Sequence, residues 1–490
     1  MNFASVTFLI FLPTVFALYW LLKDYRRQNM LLVLASYLFY GWWDIRFCAL
    51  MFASSMIDFY IGRAMGNTDD QRRRKLLLFC SLFANIGLLC IFKYFNFFVG
   101  NLQMAAASLG WEFSDFTLKV ILPVGISFYT FQTLSYTIDV YRRKLDARKS
   151  PLEYLAFVSF FPQLVAGPIE RACHLLPQFE TKRAFSFANG SQGCRLILWG
   201  LAKKLLVADQ MELIVTSPFN FPNHHHGPEL LVASFCFTFQ IYCDFSAYSD
   251  IAIGTALLFG IHLSRNFNYP FFARSLSEFW RRWHISLMVW FREYVYIPLG
   301  GNRVSRLRKF SNVIVVFFIS GLWHGAAWKY IYWGLLHGFG VSAEMIGKSK
   351  SKEPENTAPG IVARLTTPFQ VICTFSVVCV FFIFFRAISI SDGLLILETI
   401  LLSVFSPGFL SALIETVQSN HRISQALIII GCLVLIEFVQ RHRECPLEIP
   451  LLNLRAGWFR PQWLAYTALI WITLERLAQA GPEEFIYFAF

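Results

Sequence analysis

The chain has 490 residues, of which 56% are hydrophobic, 18% aromatic and only 15% charged, whereas an ordinary soluble domain carries about 25% charged residues. A single soluble core stops growing at roughly 250 to 300 residues, so the surplus apolar surface must face lipid and a soluble class is excluded. The net charge of +12 is read as topological, because basic residues gathered in short loops between apolar runs follow the positive-inside rule and no basic and aromatic nucleic-acid module occurs.

In chain order, the first apolar run, Phe3 to Leu22, lacks a small-residue cleavage site and precedes further runs, so a retained anchor is expected. Lys23, Arg26 and Arg27 close it. Runs over 30–47 and 48–64 lead to Arg72, Arg73, Arg74 and Lys75, and runs over 76–92 and 118–140 lead to Arg142, Arg143, Lys144, Arg148 and Lys149. The loop between this last pair holds Glu112 and Asp115. These basic groups fall on one face, read as cytoplasmic, which places the N-terminus outside. Cys residues within the runs, such as Cys80, Cys90, Cys373 and Cys379, read as small buried hydrophobes.

Beyond residue 150 the runs shorten and are broken by Pro, Gly and charges, as in Tyr154 to Ile169, Ile197 to Ala208, Leu230 to Tyr242 and Ile251 to Leu263. Interrupted segments at membrane depth are tolerated only where protein buries them or a wet cavity lies beside them, so the functional core is expected there. Longer runs return near 311–338, 368–386 and 423–440; Gly347 to Pro359, with Lys348, Lys350, Lys352, Glu353 and Glu355, reads as a polar cytoplasmic linker, and Arg441 and Arg443 mark the cytoplasmic face again. A last run, Trp463 to Ala478, would carry the C-terminus outside. The expectation is an all-α polytopic membrane protein with about eleven transmembrane helices plus re-entrant or interfacial ones. It divides into N-terminal helices (1–150), core (151–345), cytoplasmic linker (346–360) and C-terminal helices with an extracytoplasmic aromatic tail (361–490).

Two stretches carry chemistry. From Arg274 the chain reads RSLSEFWRRWHISLMVWFREYVYIPLGGN. Ser275 and Glu278 fit a capping box, and Trp280, Trp283, His284, Leu287, Met288 and Phe291 recur at helical spacing, so one continuous helix is expected to turn His284 into protein and Arg281, Arg282 and Arg292 elsewhere. A hydrogen-bonded core histidine is the competing reading. In Ser320 to Trp328, SGLWHGAAW, His324 sits at membrane depth between Gly321 and Gly325. These glycines allow another backbone or a ligand to come close, and an intramembrane imidazole is a candidate base for a hydroxyl.

Glu170, Asp244 and Asp250 could orient a histidine, or cap a helix, or pair with Arg171 or Arg265. The run His224 to His226 reads as a solvated loop, and no metal site is expected. The tail PEEFIYFAF is too apolar to stay in water and carries Tyr487 as its side-chain hydroxyl; it is either a reactive tail or an interfacial anchor.

FWRRWHISL and GLWHG, with PQLVAGPIER at 162–171 and DFSAYSDIAIG at 244–254, resemble the membrane-bound O-acyltransferase family, in particular its bacterial branch of alginate and peptidoglycan O-acetylation proteins. The clear likeness covers about residues 120–340. It implies a multi-helix core around a tunnel, acetyl-coenzyme A as a cytoplasmic donor, His324 as the near-invariant histidine and His284 as the second position. By the same resemblance Trp283, Trp323, Gly325, Arg281 and Arg282 are donor-binding candidates, and Tyr487 matches a Phe-x-Tyr-Phe ending in which the Tyr is proposed to carry the acyl group. It further implies a bacterial inner-membrane location, contact with membrane lipid, an extracytoplasmic serine-type polysaccharide acetyltransferase as partner, and no nucleic acid. A transporter or flippase without catalysis remains the rival, because broken helices around midplane polar groups also mark transporters.

Overall fold

Short polar side chains ahead of the apolar runs open the first helices. Ser5, Asp24, Asp44 and Asp70 accept backbone amides to start α1 (Val6–Leu21), α2 (Tyr25–Gly41), α3 (Ile45–Gly66) and α4 (Gln71–Leu89), supplying acceptors for donors that a helix start leaves unmatched. A π-helical stretch, Cys90–Tyr94, continues α4 into α5 (Phe95–Ser108). There follow α6 (Ile126–Tyr141), α7 (Pro151–Ser159), α8 (Ala172–Leu175), α9 (Phe187–Ala202), α10 (Asp209–Asn220), α11 (Gly227–Leu258), α12 (Leu276–Arg282), α13 (Ile285–Phe291), α14 (Arg306–His324) and α15 (Trp328–Lys348). The last five are α16 (Ile361–Arg386), α17 (Ile390–Val404), α18 (Phe409–Ser419), α19 (His421–Gln440) and α20 (Pro461–Gln479).

This computed structural model describes residues 1–111, 116–118, 121–348, 361–443, 447, 461–479 and 485; the loop positions Glu112 and Asp115 and most of the expected linker lie outside them. No strand occurs among the described residues, and the chain is all-α as expected. Among the described residues, five helical segments are long and apolar enough to cross a membrane: α3, residues 71–108, α11, residues 366–386 and α19. The pair α17 and α18, bent by 115°, makes a sixth if taken as one span. Other runs expected to cross are short or enclosed: α1 has 16 residues, and nearly every residue of α6 is buried. Phe79, Phe83, Phe369, Ile372 and Leu435 stand exposed on spanning helices, the surface that lipid covers. Cys80, Cys90 and Cys373 are also exposed and not buried as expected; on a spanning helix a small apolar thiol is as well accommodated by lipid as by protein.

The chain packs as two compact units, residues 1–197 with 251–264, and residues 198–250 with 265–490. In the first, Asp58 on α3 accepts from Ser81 at 2.6 Å and from Asn85 at 2.7 Å on α4. Arg74, expected to be a loop charge, is buried instead. Its guanidinium donates to Met65 and, at 2.7 Å, to the Val140 carbonyl, so it closes the C-terminal ends of α3 and α6, where unmatched carbonyls and the helix dipole favour a cation. Glu170 accepts from the Ser264 amide and hydroxyl and lies 2.8 Å from Nδ1 of His174, a structural clamp whose partner is His174 and neither expected arginine.

In the second unit, residues 230–242 belong to α11, which runs unbroken from Gly227 to Leu258 through the two carboxylates expected to interrupt it. It survives because each carboxylate has a cation. Lys203 lies 2.7 Å from Asp250 and donates to Ser246 at 2.6 Å; Lys204 lies 2.8 Å from both Asp244 and Asp209. Unpaired, a buried charge would be strongly destabilising.

Candidate active site

The stretch expected to form one helix from Ser275 breaks in the middle. The Ser275 hydroxyl accepts from the Glu278 amide as expected, while the Glu278 carboxylate accepts from the Arg274 amide at 3.0 Å and from Arg282 at 2.7 Å. α12 then ends at Arg282 and α13 begins at Ile285. Between them His284 adopts φ 44° and ψ 50°, the left-handed region that side chains other than glycine rarely occupy. Such a conformation costs about 1 to 3 kcal/mol and persists only where the surroundings over-determine it. Here they do: the Ile285 amide donates to the Asn266 carbonyl and the Asn268 amide to the Arg282 carbonyl, both at 2.9 Å.

Asn266 also holds the imidazole. Its Oδ1 lies 3.1 Å from Nδ1 of His284 and accepts from the Ser286 hydroxyl at 2.9 Å, while its Nδ2 donates to Ser249 at 3.0 Å. A carbonyl oxygen can only accept, so the network assigns the His284 proton to Nδ1 and makes Nε2 an acceptor. His284 sits between two seven-residue helices, outside the spanning segments, and burial pushes its pKa down to about 3, because removal from water disfavours the imidazolium. The ring is neutral near pH 7.

His324 ends α14. Its ring packs edge to face with Trp323 at 5.0 Å, Trp333 at 5.1 Å and Phe385 at 5.4 Å between centroids. His284 lies 5.9 Å from the same Trp323 ring and 4.7 Å from Phe245 on α11. The two histidines of separate stretches are thus neighbours of one indole, and each is at least nine-tenths buried.

The other expected site residues are placed as follows. Trp283 is buried in an aromatic cluster, stacked on Phe279 at 5.4 Å and set edge to face with Phe267 at 5.1 Å. Arg281 is exposed, and Arg282 is half-buried in its pair with Glu278. Gly325 has extended backbone, and a Cβ there would collide with the Tyr330 ring; one at Gly321 would collide with the Tyr330 carbonyl oxygen. The close approach that these glycines permit is therefore made by the chain's own α15. Tyr487 lies outside the described residues. His225 pairs at 2.9 Å with Glu229, a carboxylate that the loop reading did not assign to it.

Sequence reasoning missed two residues. Asn266 gives no local signal, since its role depends on a helix break that periodicity hides. His337 had one: it is an ionisable residue inside an apolar helix. It is fully buried on α15, its Nδ1 accepts from Trp280 Nε1 at 3.1 Å, and its ring lies 5.0 Å from both Trp280 and Trp333, so Trp333 bridges it to His324.

A neutral imidazole acceptor fixed by an amide, beside a second imidazole in an aromatic cage, suits acyl transfer between neutral groups. The family model for membrane-bound O-acyltransferases matches residues 42–386. Over 391 residues, 79% of this chain and 72% of the relative, the sequence is 38% identical to a probable alginate O-acetylase of Pseudomonas aeruginosa. It is 35% identical to a peptidoglycan O-acetyltransferase of Helicobacter pylori over 418 residues, 79% of this chain and 77% of the relative. A teichoic acid D-alanyltransferase of Streptococcus thermophilus is 29% identical over 282 residues, 54% of this chain and 68% of the relative. All three are named as acyl-transferring enzymes, which sets aside the transporter reading. Both histidine stretches and Asn266 fall within the matched span, and the chain belongs to the membrane-bound O-acyltransferase family.

Proposed function

We propose that this multi-pass enzyme takes an acetyl group from acetyl-coenzyme A on the cytoplasmic side of a bacterial inner membrane and delivers it to a hydroxyl on the outer side, for O-acetylation of a cell-envelope polysaccharide such as peptidoglycan, alginate or another exopolysaccharide. The observation that carries the reading is the convergence of His284 and His324 on Trp323. Apolar aromatic walls suit an uncharged thioester, and the Nε2 acceptor of His284 suits an amide N–H of the donor's pantetheine arm. The names of the relatives support acetyl transfer to envelope polymers.

His324 is the general base. It takes the acceptor proton as the hydroxyl oxygen attacks the acetyl carbon; the C–O bond forms, the C–S bond breaks, and the proton passes from His324 to the departing thiolate, giving an ester and free coenzyme A. With its proton committed to Asn266, His284 orients the donor and does not stabilise the oxyanion, which falls to backbone amides near Gly321 and Gly325.

The acceptor is Tyr487, whose phenol, ordinarily near pKa 10, about three units above neutral pH, needs a base. The positive-inside count puts this tail outside, where an extracytoplasmic serine-type acetyltransferase would move the acetyl group to the polymer. Purified protein given acetyl-coenzyme A should release free coenzyme A and gain an acetyl on its C-terminal peptide by mass spectrometry. No coenzyme A release would overturn the donor, and wild-type polymer acetylation by Tyr487→Phe would overturn the tyrosine relay.

A further inference from the structure

We propose that His337 is a donor-binding residue whose ring N–H holds an amide carbonyl of the pantetheine arm, with the Trp333 indole N–H as a second donor beside it. The proposal rests on the acetyl-coenzyme A reading and deepens it. His337 is fully buried, and its Nδ1 accepts from Trp280 Nε1 at 3.1 Å. An indole N–H can only donate, so Nδ1 carries no proton, the ring is neutral and its proton sits on Nε2. That N–H has no acceptor among the described residues, and the Trp333 indole N–H and the Ser320 hydroxyl have no hydrogen-bond partner there either. Trp333 is 1% and Ser320 0% exposed. Buried polar groups in folded proteins are paired with few exceptions, and three neighbouring exceptions point to a polar ligand.

The two imidazoles on either side of His324 in the chain of rings are fixed with opposite polarity. Asn266 sets the proton of His284 on Nδ1 and leaves Nε2 to accept, whereas Trp280 leaves His337 an Nε2 donor. His284 lies 5.9 Å from Trp323, which lies 5.0 Å from His324; Trp333 lies 5.1 Å from His324 and 5.0 Å from His337. A secondary amide offers one N–H and one carbonyl, and the pantetheine arm carries two such amides. One fixed acceptor and one fixed donor are the complement of that arm.

The order along the helices follows the donor's path. α15 runs back against α14: a Cβ at Gly321 would collide with the Tyr330 carbonyl oxygen, and one at Gly334 with that of Phe317. Ser320 precedes His324 by four residues on α14 and His337 follows Trp333 by four on α15, each step about 6 Å. Both steps lead from His324 toward the start of α14, where Arg306, Arg308 and Lys309 mark the cytoplasmic side by the same charge rule. A donor with its acetyl group at His324 trails its arm in that direction, past Trp333 and then His337.

The test uses the full chain in detergent. Calorimetry follows the binding of S-ethyl pantetheine and of a chain of the same length with methylenes in place of both amides, and coenzyme A release gives KM and kcat for acetyl-coenzyme A. His337→Asn keeps an acceptor near Nδ1 for Trp280 and has no N–H at the Nε2 position, which His337→Gln supplies. His337→Asn should bind S-ethyl pantetheine at least tenfold more weakly, bind the methylene chain as the wild type does, and raise the KM at least tenfold at nearly unchanged kcat; His337→Gln should regain most of the binding. Trp333→Phe, which removes one N–H and keeps a ring, should show the same selective weakening. Equal weakening of both ligands would make His337 a packing residue, and undiminished S-ethyl pantetheine binding would mean that its N–H rests on the Phe381 ring, 4.8 Å away and edge to face; either result overturns the proposal. Wild-type protein that releases coenzyme A and does not bind S-ethyl pantetheine overturns it as well. Wild-type protein that releases no coenzyme A overturns the donor reading instead, and the two binding measurements still decide what His337 holds.

Discussion

Asn266→Leu tests whether His284 works as a fixed tautomer. The site is fully buried, and leucine nearly matches asparagine in size while removing every polar atom. It deletes the bonds accepted from His284 at 3.1 Å and Ser286 at 2.9 Å and the bond donated to Ser249 at 3.0 Å. At about 1 kcal/mol net for each, stability falls by about 3 kcal/mol, and a buried imidazole N–H left without its acceptor adds about 1 to 3 kcal/mol. The released ring can place its proton on either nitrogen. A lost preference of about 1 to 3 kcal/mol corresponds to about a 5- to 150-fold loss of the correct form. Coenzyme A release from acetyl-coenzyme A should fall by that factor in protein that still elutes as a folded species. Asn266→Asp keeps an acceptor for both His284 and Ser286, so it should recover more activity than the leucine variant. A folded Asn266→Leu protein with wild-type turnover would refute the reasoning.

The remaining predictions concern the histidines themselves. His324→Ala should lower acetyl transfer by about 10²- to 10⁴-fold, the usual contribution of a positioned base, and folded protein with undiminished acetyl transfer would exclude His324 as the base. For His284, the native pKa of about 3 lies below the ordinary value near 6.5. The folded state therefore binds fewer protons than the unfolded chain between these values, and stability rises with pH across the window. At about pH 5 this group costs about 2 kcal/mol relative to neutral pH. His284→Asn cannot titrate there, so its melting temperature should depend less steeply on pH between about 4.5 and 7; an unchanged slope would show that His284 is not held neutral by burial.

What the sequence by itself determined was whatever depends on local composition. Lipid as the solvent, helices as the elements and the apolar runs on either side of His324 follow from hydropathy and spacing, and FWRRWHISL with GLWHG identified the two histidines before any fold was known. Local pattern was misleading where a distant partner decides. Trp280, Trp283, His284 and Leu287 keep helical spacing, so nothing near them signals a break; the left-handed turn at His284 exists because Asn266 and Asn268 supply backbone partners. Asp244 and Asp250 read as interruptions of a helix, yet α11 passes through them because Lys203 and Lys204 arrive from another segment. Arg74 read as a loop charge, and the carbonyl ends of α3 and α6 bury it. In each case the tertiary structure decided the outcome for one physical reason: a buried polar or strained group is tolerable only when its partner is present, and that partner comes from elsewhere in the chain.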